Sequence, residues 1–513
     1  MNQPNNEIHI SFSEKKTEKP FDIIIIGSGL GGLECGYILS KKGLNVCILE
    51  QNPQIGGCLQ TFKRGKTTFD TGFHYVGGLE EGQSLHRLFS YFGLLDLPWH
   101  KLDEACFDEV ILNGKPYRFA NGHDRFVETL AAEFPAQREN LKKYASFLKQ
   151  IGDDLYRSFE KKNEEDFYST SVFSKSAFDF LNETITDPVL RNVLSGTSLK
   201  MELNPHKLPL YIFAQINNSF IQSAWRLDGG GSLIADALAK KIKAMGGTIL
   251  TKAKVTRLIE ENGKIASVEI NNDEQISAKH FISNIHPART LDLITESKQI
   301  RKIYRKRIGG LPNTYGMFTA NIALKEDVVP YLNRNQYIYQ TDDVWSYYRY
   351  EPGRKASCAL VSYQAPEAGK SYTRNLDILT PMYWEEVEKW QDTYIGKRGE
   401  DYKELKRQKA EECIELASRH IPELKNGIQK IYTSTPLTYR DYTATANGSA
   451  YGIQKDYSQL MYTILTPRTP IPNLLLTGQN LNLHGILGVS MTSIFTCAEV
   501  VGMETLVEEL SEP

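Results

Sequence analysis

The sequence predicts an α/β fold in which a nucleotide-binding domain of parallel strands is interleaved with an α+β domain and a helical insertion. Three stretches support this. "FDIIIIGSGLGGLECGYILSKKG" reads as strand, glycine turn and helix. "DGGGSLIADALAKKIKAMGGTILTKAKVTRLI" returns to the same style near the middle. "NLLLTGQNLNLHGILGVSMTSIFTCAEVVG" does so again near the end. No repeat, low-complexity tract or clear linker separates these pieces, so the domains are expected to be interleaved.

The first unit is justified residue by residue. Ile23 to Ile26 suit a central parallel strand buried on both faces. Gly27, Gly29 and Gly32 follow in G-x-G-x-x-G spacing, with Gly31 inside it. The first glycine permits the turn, the second lets backbone approach a pyrophosphate, and the third lets helix pack on sheet. The helix start then offers unpaired N–H groups to phosphate. A second strand, "NVCILE", ends at Glu50, 18 residues after Gly32. An acid at that place hydrogen-bonds the ribose of an adenine dinucleotide.

The fingerprint alone does not separate FAD from NAD. The next stretch does. Gly56 and Gly57 follow Glu50 in a short loop suited to lie over a dinucleotide. "TTFDTGFHYVGG" then reads as a strand with Gly72 at a point of close approach. A plain NAD domain would continue through an ordinary crossover.

Composition narrows the remaining classes. The chain has 513 residues, 41% of them hydrophobic, and a formal net charge of −2. Two to four domains are expected at this length. No basic and aromatic nucleic-acid module is present. Seven scattered cysteines, without a C-x-x-C pair, suit reduced thiols and a cytoplasmic setting. The opening "MNQPNNEIHISFSEKKTEKP" lacks the apolar core of a signal peptide. No run is apolar enough for a transmembrane span; polar residues break the closest, Gly485 to Met503.

Between the α/β units other patterns appear. Leu141, Tyr144, Ala145, Leu148 and Ile151 recur at helical steps. Ser232 to Met245 reads as a helix and Thr248 to Ile259 as a strand. "SKQIRKIYRKRIGG" reads as a basic helix, either a solvated face or a contact for anionic lipid. Pro312 to Tyr363 is rich in β-formers and tyrosines, either cross-strand pairs or the lining of a channel. Trp384 to Leu424 reads as helical.

These residues resemble the flavin amine oxidase and phytoene desaturase superfamily. "GGCLQTF", "FDTGFHYVGGLEEG" and "LLLTGQNLNLHGILGV" are similar to its retinol saturase and carotenoid isomerase branch. One departure is plain: family members often carry arginine before the double glycine, where this chain has Gln54 and Ile55. The resemblance implies a Rossmann-like FAD-binding domain from residues 21–100, 222–290 and 470–513. It implies a helical insertion and substrate-side subdomain at 101–221, and a substrate domain with a mixed sheet at 291–469. It places Val255 near the adenine and Gly478 and Gln479 near the ribityl and phosphate portion. It aims the helix start containing Gly488 and Val489 at the flavin pyrimidine ring, where the positive end of the dipole would stabilise reduced flavin.

The implied activity is FAD-dependent oxidoreduction at carbon–carbon double bonds of an apolar polyene or isoprenoid, in the saturating direction. Desaturase, isomerase and amine oxidase readings stand as alternatives, as does a non-catalytic prenyl-lipid binder. His74, Tyr451 and His484 are the candidate catalytic residues; each also has an ordinary structural reading. No metal-ligand or Ser-His-Asp set is visible. No second glycine fingerprint follows a strand, so electrons are expected from a protein donor, from free reduced flavin or from NAD(P)H bound transiently. Localisation is expected to be cytoplasmic, with peripheral membrane contact open and no transmembrane helix.

Overall fold

The computed structural model describes residues 20–158, 170–367 and 369–511. The polar stretch 1–19, read above as lacking a signal peptide, lies outside them.

Two seven-stranded sheets organise the chain. The first is Rossmann-like. Phe21–Ile26 lies at its centre, with Val46–Leu49 parallel on one side and Thr248–Leu250 parallel beyond that. On the other side Glu274–Ser283 runs parallel, followed by Leu474–Leu476. Ile23 to Ile26 are buried on both faces: Ile23 and Ile25 share a core with the helices Leu30–Lys41, Ser232–Ala244 and Gly485–Val501, and Ile24 and Ile26 share one with Val255–Glu261 and Lys264–Ile270. Three distant pieces of sequence thus build one domain.

The expected strand Thr248–Ile259 is two strands. Thr248–Leu250 belongs to the parallel sheet, while Val255–Glu261 opens an antiparallel hairpin with Lys264–Ile270. The break has a cause. Lys252 adopts φ +57°, and the amide of Ala253 donates to the Glu50 carbonyl at 2.8 Å, turning the chain across the sheet edge.

The second sheet runs in the order Ile428–Ser434, Gly316–Leu324, Asn375–Met382, Cys358–Tyr363, Asn335–Tyr339, Asp108–Leu112, Lys115–Phe119. The last two strands come from the interval 101–221, expected as a helical insertion. That interval supplies helices and two sheet strands together, and Asn335–Tyr339 pairs in parallel with Asp108–Leu112. Asn-Gly between two short runs in "DEVILNGKPYRF" carried that hairpin in plain sight.

Two further expectations need correction. "TTFDTGFHYVGG" is not one strand: Thr67–Asp70 ends, and Val76–Gly77 begins separately. Asp70 pulls the chain out of register, because its carboxylate accepts from the Gly231 amide at 2.7 Å and from Gln364 at 3.3 Å. Trp384 to Leu424 is helical mainly over Glu400–Ser418, preceded by two short 3-10 turns. The basic stretch does form a helix, Lys302–Gly309. One of its cations is structural, since Arg305 donates to the carbonyls of Leu291 and Ile294.

Candidate functional site

The site begins where the first strand ends. Ser28 donates to Glu50 Oε2 from its backbone N–H at 3.0 Å and from its hydroxyl at 2.6 Å. The Asn52 amide donates to Oε1 at 2.8 Å. Glu50 is thereby buried, fixed at the strand end and left with lone pairs for a ligand hydroxyl. The double-glycine loop crosses the fingerprint: the Gly56 amide donates to the Ser28 carbonyl at 3.0 Å, and Gly29 and Gly56 form a parallel bridge.

Asn284 closes this cradle from below. A Cβ on Gly31 would sit 2.9 Å from Asn284 Oδ1, and one on Gly478, where φ is +93°, would sit 2.6 Å from the same atom. The fingerprint, the C-terminal loop and Asn284 therefore meet without room for side chains. Asn284 was not singled out in the sequence. It follows a parallel strand at its carboxyl end, the place where open α/β sheets bind ligands, so a signal existed.

One cavity of about 410 Å³ runs from this cradle into the second domain. Gly27, Gly29, Gly31, Glu50, Gly56, Gly57, Gly72, Val255, Gly478, Gln479 and Val489 line it, as do His74, Tyr451 and His484. Gly32 and Gly488 do not. A Cβ on Gly32 would fall 2.0 Å from the Gly27 carbonyl oxygen, and one on Gly488 would fall 2.3 Å from that of Leu483. Both serve close backbone packing rather than ligand contact. Gly72 lines the cavity, but its close neighbour is Cys58, 3.3 Å from an added Cβ.

The three candidate catalytic residues differ in what they are free to do. His484 shares a hydrogen bond between its Nε2 and the Lys200 carbonyl at 2.9 Å, which makes Nε2 the donor. Its ring lies 4.8 Å from that of Tyr451, whose hydroxyl donates to the Leu199 carbonyl. Both side chains therefore tie down the Ser198–Lys200 turn. Burial pushes His484 down to about 4 and raises the Tyr451 phenol. His74 is different: both its ring nitrogens are buried without a hydrogen-bond partner. Burial, with the Arg226 cation adding, pushes it down to about 4, so it is neutral near pH 7.

Lys200 was missed altogether. It lines the cavity, 12% exposed, with its ammonium 3.8 Å from the centre of the Phe220 ring. Behind it stand the Tyr75 hydroxyl at 3.1 Å and the Asp108 carboxylate at 3.6 Å. Nothing in "SGTSLKM" marks this lysine, because its partners lie on three remote segments. Part of the remaining wall is apolar, with Ile216, Met317, Leu360 and Leu379.

A flavin dinucleotide fits what is present. The side-chain-free cradle, the buried acid at the second strand end and the helix start at Gly485 lie along one cavity that continues past them. Among the described residues no cluster of metal-ligating side chains occurs, and no helix is long and apolar enough to cross a membrane.

Comparison with known proteins agrees. The chain is 27% identical to all-trans-retinol 13,14-reductase of Homo sapiens, over 98% of this chain and 88% of that protein. It is 26% identical to the chloroplastic prolycopene isomerase of Daucus carota, over 85% and 72%. Among solved structures, an oxidoreductase from Methanosarcina mazei superposes with TM-score 0.61 at 18% identity, covering 92% of this chain and 99% of that one. Residues 30–369 match the family described as flavin containing amine oxidoreductase. Sharing that match, the interleaved two-sheet fold and a glycine cradle that continues into a second domain, the chain belongs to the flavin-containing amine oxidoreductase family and is a flavin-dependent oxidoreductase.

Proposed function

We propose that this protein uses FAD to add hydrogen across a carbon–carbon double bond of an apolar polyene, in the manner the name of its retinol reductase relatives describes. The observation that carries the reading is the single cavity joining the Glu50 cradle to a wall of Ile216, Met317, Leu360 and Leu379. Such a wall suits an extended hydrocarbon, since burying apolar ligand surface contributes roughly 25 cal/mol per Å².

Bound FAD would supply two-electron hydride chemistry. The chain's own residues do the rest. Gly29, Gly31 and Gly478 let the backbone approach the dinucleotide, and Glu50 holds its ribose. The apolar wall excludes water and lays the polyene along the cavity. His74, with two unclaimed nitrogens, is the candidate to handle the proton that saturation requires on the second carbon. Electrons would enter from NAD(P)H bound transiently or from a protein donor.

The test is anaerobic. The flavin-loaded protein is photoreduced, mixed with a polyene panel that includes all-trans-retinol, and the products are weighed. A gain of two hydrogens, both of them deuterium when the photoreduction is run in D2O, supports saturation. Loss of two hydrogens with oxidised flavin replaces it by desaturation. Unchanged mass with new geometric isomers replaces it by isomerisation, the activity named for the prolycopene relatives. Oxygen uptake with amines alone would leave none of the three standing.

We also infer a peripheral membrane contact. Ile303 and Met461 are 77% and 87% exposed, and Arg307 lies over the Tyr462 ring at 5.4 Å, bringing the two segments together. Arg301, Lys302 and Lys306 are exposed around them. Apolar tips ringed by cations match an anionic bilayer surface. Sedimentation with phosphatidylserine vesicles but not phosphatidylcholine vesicles, lost in Lys302→Glu/Lys306→Glu, is the expected result. Equal sedimentation with both overturns it.

A further inference from the structure

The apolar wall of the cavity carries one charge, and that charge is not fully used. An ammonium has three N–H donors. One Lys200 donor is taken by the Tyr75 hydroxyl at 3.1 Å, and the Phe220 ring face lies 3.8 Å away. Asp108 balances the charge from 3.6 Å, outside ordinary hydrogen-bond length. Its oxygens are already engaged by Tyr75 at 2.7 Å and Asn335 at 3.0 Å. Tyr75 in turn shares a 2.6 Å hydrogen bond with Tyr337. This network uses one of the three Lys200 donors, and Lys200 lines the cavity.

The neighbouring polar side chains do not offer the same. Gln215 donates to the Ile151 carbonyl at 3.0 Å and Ser219 to the Ile216 carbonyl at 2.8 Å. Tyr451 and His484 are committed to the carbonyls of Leu199 and Lys200. Those two bonds also fix the turn that carries Lys200. His74 lines the cavity with both ring nitrogens buried and unpartnered, but it is neutral.

A pure hydrocarbon filling this cavity would strip water from the remaining Lys200 donor and give nothing back. A buried donor left unpaired is costly, more so when charged. A ligand with an oxygen at its end would fill that donor. We propose that Lys200 anchors an oxygen-bearing terminus of the substrate, so that the cavity selects polyenes ending in a hydroxyl, carbonyl or carboxylate over pure hydrocarbons. This rests on the polyene reading above and narrows it. Lys200 acts as a specificity-determining residue, and anchoring one end fixes which double bond lies along the cofactor side of the cavity.

The test is binding, not turnover. Oxidised flavin-loaded protein, without reductant, is titrated with all-trans-retinol and with the matched hydrocarbon bearing a methyl in place of the CH2OH group. Protein fluorescence quenching reads both. Retinol is expected to bind about 10- to 150-fold tighter, the range for a hydrogen bond to a charged donor. Lys200→Met alone would leave Asp108 buried without its cation. The informative variant is therefore Lys200→Met/Asp108→Asn, in which the preference should fall to within about threefold of unity while hydrocarbon affinity holds or rises. Equal affinities in the natural protein, or a preference that survives in the double variant, overturns the anchor. If the double variant does not fold, the ratio in the natural protein decides. If neither probe binds, the polyene reading itself falls and the anchor with it. If the double variant binds both probes as the natural protein does, Lys200 is not the anchor.

Discussion

Glu50 accepts two hydrogen bonds on one oxygen from a single residue, Ser28, at 3.0 and 2.6 Å. The relationship couples the end of the second strand to the glycine turn. Any ligand held by Glu50 is thus held in register with the turn that would cradle its phosphates.

Glu50→Ala should therefore weaken FAD binding by more than the loss of a ribose contact. A charge-assisted hydrogen bond contributes about 1.5–3 kcal/mol, or about 10- to 150-fold in affinity. The alanine also frees Ser28 and the Gly56 loop. Glu50→Gln keeps an acceptor for Ser28 and should fall between the two. Flavin titration of the apoprotein checks this; unchanged affinity in Glu50→Ala would remove Glu50 from the site.

Gly478→Ala should impair flavin binding for two separable reasons. Its φ of +93° disfavours a side chain, and the added Cβ would meet Asn284 Oδ1 at 2.6 Å. Removing the obstacle in Gly478→Ala/Asn284→Ala should recover the steric part but not the backbone part. Recovery is expected to be partial, with affinity still about tenfold or more below the natural protein. Full recovery would show that backbone conformation at residue 478 is unimportant.

Much of this arrangement was legible because it is local. The isoleucine strand, the glycine spacing and the acid at the next strand end fall within thirty residues of chain. The periodicity of "NLLLTGQNLNLHGILGV" likewise sufficed for a strand, a loop and a helix. What escaped depends on contacts remote in sequence. Asp70 breaks its strand because Gly231 and Gln364 reach it from other segments. Lys200 gains meaning only beside Tyr75 and Asp108. Tyr451 and His484 look like acid–base groups in the sequence, yet each spends its donor on the backbone of one short turn.

His74→Phe should separate stability from activity. The imidazole has no hydrogen-bond partner to lose, so an apolar ring of similar size leaves no new unpaired group. The folded-state value, about 4, lies below the ordinary histidine range. Below about pH 6.5 the unfolded chain takes up a proton that the folded chain refuses, so stability is lost as pH falls from about 6.5 toward 4. The variant should escape that loss, gaining on the order of 1–2 kcal/mol at pH 5 and little at pH 7.5. Urea unfolding at the two pH values reads it. If His74 handles the proton, turnover drops at both; full turnover would free His74 from the chemistry.

Glu34 sets the opposite dependence. It is fully buried between the helices Leu30–Lys41 and Gly485–Val501, where it accepts from Ser490 at 2.5 Å and Ser493 at 3.0 Å. Burial raises its carboxyl to about 8, against the lowering effect of the two hydroxyls, so at neutral pH the folded protein holds it protonated. In the unfolded chain the same group ionises near 4.5. Between those values the folded state binds more protons than the unfolded state. Stability from this group therefore falls as pH rises from about 4.5 to about 8. Glu34→Gln keeps the shape and the capacity to bond both serines without the cost of holding a proton. The variant should be more stable than the natural protein by roughly 1–3 kcal/mol at pH 7.5, and by close to nothing at pH 4.5. Denaturant unfolding at the two pH values measures the difference. A gain that is the same at both would mean that Glu34 is not held protonated, and a loss at both would mean that the serines require a carboxyl. The packing of the C-terminal helix against the glycine helix would then depend on that group as an acceptor pair.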